Sequence, residues 1–290
     1  MISLDILGVI MSENSKSLLS KTLTIAPGVF DGMSTLLVNR AGFSAVYASG
    51  GAIARSKGVP DIGLLTLTEV VEQLKTIVDA SDVPVIADAD TGFGNELNVE
   101  RTIQEFERID IAAMHIEDQT FPKRCGHLNN KTLIPTEEMC HKIKVAVNTR
   151  KSSDLLIIAR TDAIAVEGFD AAIERAKAYA AAGADMLFVE APETREQIEA
   201  IAKALPQPKL INMFYGGKTP LVPAKDLEAM GFSIAIIPSD LQRASIHAMQ
   251  STLEVIKKDG DSKNVTDNLV TFNEREEIIK TQSYFERTKM

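Results

Sequence analysis

Cysteine is scarce in this chain: Cys125 and Cys140 are the only two in 290 residues. Neither has the paired Cys or His spacing of a zinc site, and two thiols make no disulfide framework, so two reduced thiols in a cytoplasmic protein are expected. Positive charge is also short. With 31 Lys and Arg against 40 Asp and Glu, the formal net charge is −9, which removes the electrostatic footing of a nucleic-acid binder. Long apolar runs are missing, since none approaches the ~18 residues of a transmembrane helix, and no membrane association is expected. The apolar opening, residues 1–11, carries Asp5 and lacks the basic start and small-residue cleavage site of a signal peptide. Residues 1–23 therefore read as a leader or short helix. Internal repeats and low-complexity segments are not evident.

The composition that remains, 45% hydrophobic and 24% charged, is that of a globular protein of enzyme size. From residue 24, short apolar runs alternate with longer amphipathic stretches, the signature of βα units. The runs fall at 24–29, 45–48, 83–87, 112–116, 155–159, 185–189, 209–213 and 234–237. Eight runs rich in Val, Ile, Leu and Ala without polar alternation predict parallel strands buried on both faces, closed into a (β/α)8 barrel over residues 24–258. Residues 99–108, 137–147 and 170–182 carry helical periodicity. A polar linker begins at residue 259, and residues 273–287 read as a charged terminal helix, either a cap on its own subunit or, preferred here, an arm packed on a neighbour.

In such a barrel the residues following each strand share one rim, where the chemistry is kept. That rim collects Ser49-Gly50-Gly51, Asp88, Asp90, Glu117, Arg160, Glu190, Asn212 and Arg243. Asp88, Asp90 and Glu117 are hard oxygen donors of the kind that hold Mg²⁺ while water and substrate complete the octahedron. The Ser-Gly-Gly turn offers a hydroxyl and backbone N–H groups to an anion, and the two arginines are able to grip carboxylates bidentately. Lys123-Arg124-Cys125-Gly126-His127 places a cysteine among three cationic side chains. Neighbouring positive charge favours a thiolate, so Cys125 is expected to be acidic and to exchange a proton near neutral pH. Cys140 is expected to have no role, and His115, inside a strand run, to be a core histidine.

Together, Ser49-Gly50-Gly51, Asp88-Ala89-Asp90-Thr91-Gly92-Phe93-Gly94, His115-Ile116-Glu117-Asp118-Gln119, the 123–127 motif and Ala159-Arg160-Thr161-Asp162-Ala163 resemble the isocitrate lyase and phosphoenolpyruvate mutase superfamily, in particular its methylisocitrate lyase branch. The resemblance runs from about Ala26 to Ala248 and into the C-terminal arm. It implies a Mg²⁺-dependent (Mn²⁺ also serving) TIM barrel, a helix-swapped homotetramer, that cleaves a carbon–carbon bond of a 2-hydroxy di- or tricarboxylate. By position it implies Asp88, Asp90 and Glu117 for the metal, and Ser49, Gly50, Gly51, Asp61, Arg160, Glu190, Asn212 and Arg243 for the substrate. Cys125 would be the proton donor, with Lys123 and His127 tuning its loop. Tyr47 would support the pocket, and either Tyr47 or a metal-bound water would be the initial base. The chain departs from the branch at Phe214-Tyr215, where a Thr-Glu pair is usual. Its Gly217-Lys218-Thr219-Pro220 resembles enzymes acting on dimethylmalate or oxaloacetate, whereas Pro238 replaces the serine of oxaloacetate hydrolases. The expected reaction is cleavage of 2-methylisocitrate to pyruvate and succinate. The alternatives are a 2,3-dimethylmalate lyase, an oxaloacetate hydrolase or decarboxylase, and a non-catalytic metabolite-binding barrel.

Overall fold

A computed structural model describes residues 13–128 and 130–288. The expected leader segment, residues 1–12, lies outside them. Eight parallel strands close into a barrel in sequence order, β1 pairing with β8. They are β1 Thr24–Val29, β2 Val46–Ala48, β3 Val85–Asp88, β4 Ala113–Glu117, β5 Leu156–Thr161, β6 Met186–Val189, β7 Lys209–Asn212 and β8 Ile234–Ile237. The first seven helices are α1 Glu13–Leu18, α2 Gly32–Arg40, α3 Gly50–Ser56, α4 Leu67–Ala80, α5 Glu96–Arg108, α6 Thr136–Thr149 and α7 Phe169–Ala181. They are followed by α8 Arg195–Ala204, α9 Ala224–Ala229, α10 Asp240–Asp259, α11 Phe272–Ile278 and α12 Thr281–Arg287.

The two-residue period of a strand sorts side chains into two layers. Ala113, Leu156, Ile158, Met186, Phe188, Leu210, Ile234 and Ile236 fill the barrel interior, and Leu18 of α1, fully buried, belongs to the same cluster. The intervening residues, such as Met114, Ile116, Ile157 and Leu187, pack outward against the helices. Burying one such side chain stabilises the fold by roughly 1.5–3 kcal/mol. The inward series continues upward in five of the eight strands, from Ile86 to Asp88, His115 to Glu117, Ile158 to Arg160, Phe188 to Glu190 and Leu210 to Asn212. One periodicity thus builds the apolar plug and sets charged groups above it. Asp88, Glu117 and Arg160 lie within their strands, not after them as the apolar runs suggested, because a pleated ladder continues through a polar residue that faces inward.

The expected helices are present, with α7 bracketed by Gly168 (φ 94°) and Gly183 (φ 108°). The expected single helix over 273–287 is instead two, because Lys280 adopts a left-handed φ of 57° between α11 and α12. In this single chain α11 packs on α2, with Ile278 buried.

Candidate active site

Above the apolar plug lies a cavity of about 330 Å³. Its wall contains Tyr47, Ser49, Gly51, Asp61, Asp88, Lys123, Cys125, His127, Arg160, Glu190, Asn212 and Arg243. Most of the expected site residues therefore meet at one place. Gly50 and Asp90 line a small adjoining hollow with Asp61 and Asp88, while Glu117 is buried beneath Arg160. A larger hollow, about 830 Å³, opens at the opposite end of the barrel beside Glu107, Lys151 and Asp154, away from these groups.

Charge on the rim is matched within the chain. Lys123 Nζ lies 2.7 Å from Asp90 Oδ1 and also bonds Asp61. Arg160 Nη1 is 3.2 Å from Glu117 Oε2, and its Nε and Nη2 fork onto Asp162 at 2.9 and 3.2 Å. Burial opposes the charge of Lys123, but Asp90, Glu117, Asp61 and Asp88 raise its pKa well above the ordinary value. Burial also opposes ionisation of Asp88, yet His115, Lys123 and Arg160 hold that carboxyl at about 2. Asp90 is pushed up to about 6 by burial and by Asp88 and Asp61, against Lys123. Glu117 is raised by burial beyond what Arg160 and Lys123 offset.

Among the described residues no three His, Cys, Asp or Glu side chains converge as ligands of one ion. Lys123 pairs with Asp90 and Asp61, and Arg160 with Glu117 and Asp162, so these two cations are shared among more carboxylates than they can balance. Both Glu117 oxygens and Asp90 Oδ1 nevertheless make no hydrogen bond while buried, having only those cations at ion-pair distance.

The acidity expected of Cys125 needs correction. Burial and the nearby Asp61 charge push the thiol up, and the His127 N–H, Lys123 and Arg160 do not offset them. Lys123 is neutralised by its carboxylates and Arg124 points to solvent, so little positive field is left at the sulfur. The thiol keeps its proton at neutral pH, as a proton donor requires. Tyr47 also holds its proton, burial and Asp88 raising the phenol well above its ordinary value. Its Oη lies 2.8 Å from His115 Nε2 and 3.3 Å from Asp88 Oδ2, which makes it a hydrogen-bonding support. His115 is the buried histidine that was expected, lowered by burial to about 4.

The 123–127 loop is closed on the rim. Gly126 lies so near Arg160 and Glu190 that a Cβ there would run into Arg160 Nη2 and sit 2.7 Å from Glu190 Cγ. Lys131 Nζ bonds the Gly126 carbonyl and lies 2.9 Å from Asp162 Oδ1, tying loop to rim. The Lys218 N–H donates to His127 Nδ1 at 3.0 Å, which leaves the ring proton on Nε2, 2.8 Å from Glu190 Oε1. Asn212 Nδ2 donates to the same oxygen at 3.2 Å. Phe214 stacks edge-on against His127 at 4.6 Å and faces the cavity. Tyr215 is 70% exposed and contributes its carbonyl to Arg243. Sequence reasoning missed Lys131 and Arg55; in polar or exposed stretches, both read as ordinary surface cations.

An acid-and-cation rim at the strand ends, under a closed loop that carries a thiol, defines the active-site end of a (β/α)8-barrel enzyme. The phosphoenolpyruvate phosphomutase family model matches residues 16–257. A 2,3-dimethylmalate lyase of Eubacterium barkeri is 44% identical over 261 residues, 90% of each chain. A 2-methylisocitrate lyase of Bacillus subtilis (strain 168) is 44% identical over 260 residues, 90% of this chain and 85% of that one. An oxaloacetate acetylhydrolase solved with 3,3-difluorooxalacetate superposes with a TM-score of 0.90 at 32% identity, covering 96% and 95% of the two chains. A phosphonopyruvate hydrolase solved with oxalate and Mg²⁺ superposes with a TM-score of 0.85 at 28% identity, covering 94% and 97%. The chain belongs to the phosphoenolpyruvate mutase/isocitrate lyase superfamily.

Proposed function

We propose that this protein is a Mg²⁺-dependent carbon–carbon lyase that cleaves a 2-hydroxy tricarboxylate, 2-methylisocitrate, to pyruvate and succinate. The observation that carries the reading is the 123–127 loop, shut over a cation-lined cavity with a neutral thiol at its wall. In the cleavage the 2-hydroxyl passes its proton through water to the rim carboxylates and the C2–C3 bond breaks. C2 becomes the ketone of pyruvate, while the electron pair stays on C3 as the enediolate of succinate. Cys125 donates its Sγ proton to C3. Arg160 and the N–H groups of the Ser49-Gly50-Gly51 turn hold the oxo-acid half, and Glu190, with Asn212 and His127, orients the other half. Loop closure keeps water from the enediolate until it is protonated.

The donor set fits Mg²⁺, with Mn²⁺ an acceptable substitute, because Asp88, Asp90 and Glu117 are hard oxygen ligands and three of their buried oxygens lack hydrogen bonds. Bound there, the ion would supply Lewis-acid stabilisation of charge on the oxo-acid oxygens. Lys123 would give way on the Asp90 side. The assembly proposed is a cytoplasmic homotetramer with exchanged C-terminal arms, supported by the exposed apolar side chains Met249 and Leu253 of α10 and Phe272 of α11. Among the described residues no helix is long and apolar enough to cross a membrane.

A second reading, cleavage of 2,3-dimethylmalate, is favoured by Phe214, an apolar side chain facing the cavity where a carboxylate would disfavour a methyl group. Incubation with Mg²⁺ and 2-methylisocitrate, isocitrate, 2,3-dimethylmalate or oxaloacetate separates the readings. Keto-acid release greatest from 2-methylisocitrate is expected. Release greatest from dimethylmalate selects the second reading, and none from any substrate defeats both.

A further inference from the structure

Arg55 stands in the last turn of α3 and lines the cavity from its exposed side. A helical side chain leans back over the preceding turn, and here it lies over Gly51, four residues earlier. Arg55 Nη1 is 3.2 Å from where a Gly51 Cβ would sit, so the missing side chain provides room for the guanidinium. Its Nε donates to Gln242 Oε1 at 2.8 Å, across 187 positions of sequence. Gln242 is itself fixed, buried in α10 with its Nε2 donating to the Ala52 carbonyl at 2.8 Å. The guanidinium is therefore held in one orientation by a neutral amide, and Asp61, whose Oδ2 shares the space over Gly51 and whose other oxygen bonds Lys123, makes no ion pair with it.

The other cations on the cavity wall are matched. Arg160 meets Glu117 and Asp162, Lys123 meets Asp61 and Asp90, His127 meets Glu190, and Arg243 meets Asp240 and the Tyr215 carbonyl. Among the described residues no carboxylate lies within ion-pair distance of Arg55, which makes it the wall's uncommitted guanidinium. Preorganised guanidinium of this kind is suited to bidentate carboxylate capture.

We infer that Arg55 is a specificity residue that binds the terminal carboxylate of a tricarboxylate substrate at the cavity mouth. This rests on the lyase reading and sharpens it. 2-Methylisocitrate differs from 2,3-dimethylmalate by one added carboxyl group on the 3-methyl carbon, and a free, clamped guanidinium discriminates between them on that group alone. Gln242 is its positioning residue.

The test is Arg55→Met, with wild type alongside, in the Mg²⁺-loaded protein. Because Arg55 is exposed, folding is not at stake. The variant should lose about 10- to 100-fold in kcat/KM for 2-methylisocitrate, chiefly through KM, the effect of deleting a hydrogen bond to a charged group. Turnover of 2,3-dimethylmalate should change by less than about threefold, and Arg55→Lys should recover part of the loss. Equal losses on both substrates would reduce Arg55 to a structural clamp between α3 and α10, and no loss on either would also overturn the inference. Calorimetric titration of tricarballylate, which carries three carboxylates and no hydroxyl, separates this from the lyase reading. If wild type cleaves neither substrate, that reading fails while weaker tricarballylate binding by Arg55→Met still upholds Arg55. Affinity unchanged in the variant, or absent from wild type, overturns it.

Discussion

Replacing Gly126 by Ala asks whether the closed loop is the working state. Gly126 does not occupy a left-handed conformation, so alanine is allowed there by the backbone and the effect is purely one of space. A Cβ would run into Arg160 Nη2 and sit 2.7 Å from Glu190 Cγ and 3.0 Å from its Cδ, against 3.4 Å for ordinary contact, a shortfall of 0.7 Å at Cγ alone. Glu190 has little freedom to retreat, being 1% exposed and held by His127 and Asn212. Arg160 is fixed by Asp162. The loop must therefore lift, carrying Cys125 with it by a sizeable fraction of an ångström. Misplacement of about 1 Å costs on the order of 10²-fold in rate, so Gly126→Ala should lower kcat by about 30- to 100-fold with an unchanged thermal midpoint. The companion assay, in a Cys140→Ser background, follows alkylation of Cys125 by iodoacetamide, which should accelerate as the loop opens. Wild-type turnover together with unchanged alkylation would refute the reasoning, for it would mean that the rim accommodates the methyl group with the loop shut.

Cys125→Ser should fold normally and lose ~10²- to 10⁴-fold in kcat, as removal of a positioned general acid does; wild-type cleavage would move the donor elsewhere. Because burial and Asp61 raise the thiol, the donor stays protonated as pH rises, and kcat/KM should be lost only above the ordinary thiol range. An alkaline limb near neutrality would contradict that sign. Lys131→Met leaves Asp162, fully buried, with Arg160 as its remaining cation, and should cost about 3 kcal/mol in denaturant unfolding. No change would mean that Lys131 is dispensable to the rim. Chelation with EDTA should abolish cleavage and added Mg²⁺ restore it, whereas full activity in EDTA would rule out the proposed ion.

The barrel was legible because eight apolar runs have few other arrangements, and the strand ends followed from it. Reading polarity as the end of a strand placed Asp88, Glu117 and Arg160 just beyond strands that contain them. The inward two-residue period, Ile86 to Asp88 or Phe188 to Glu190, was the signal available. Local sequence misjudged charge balance. Lys123 beside Cys125 reads as an acidifying neighbour until the fold brings Asp61 and Asp90 to it across the loop. Lys131 and Arg55 were invisible because what makes them matter, Asp162 and Gln242, is distant in sequence.

The central claim, that a loop-borne thiol protonates an enediolate released by carbon–carbon cleavage, is tested most directly by cleaving 2-methylisocitrate in D₂O and examining the succinate by NMR. The account predicts equimolar pyruvate and succinate, with a single deuterium on one face of one methylene, and loss of both products in Cys125→Ser. Deuterium distributed over both faces, or undiminished product from Cys125→Ser, would contradict it.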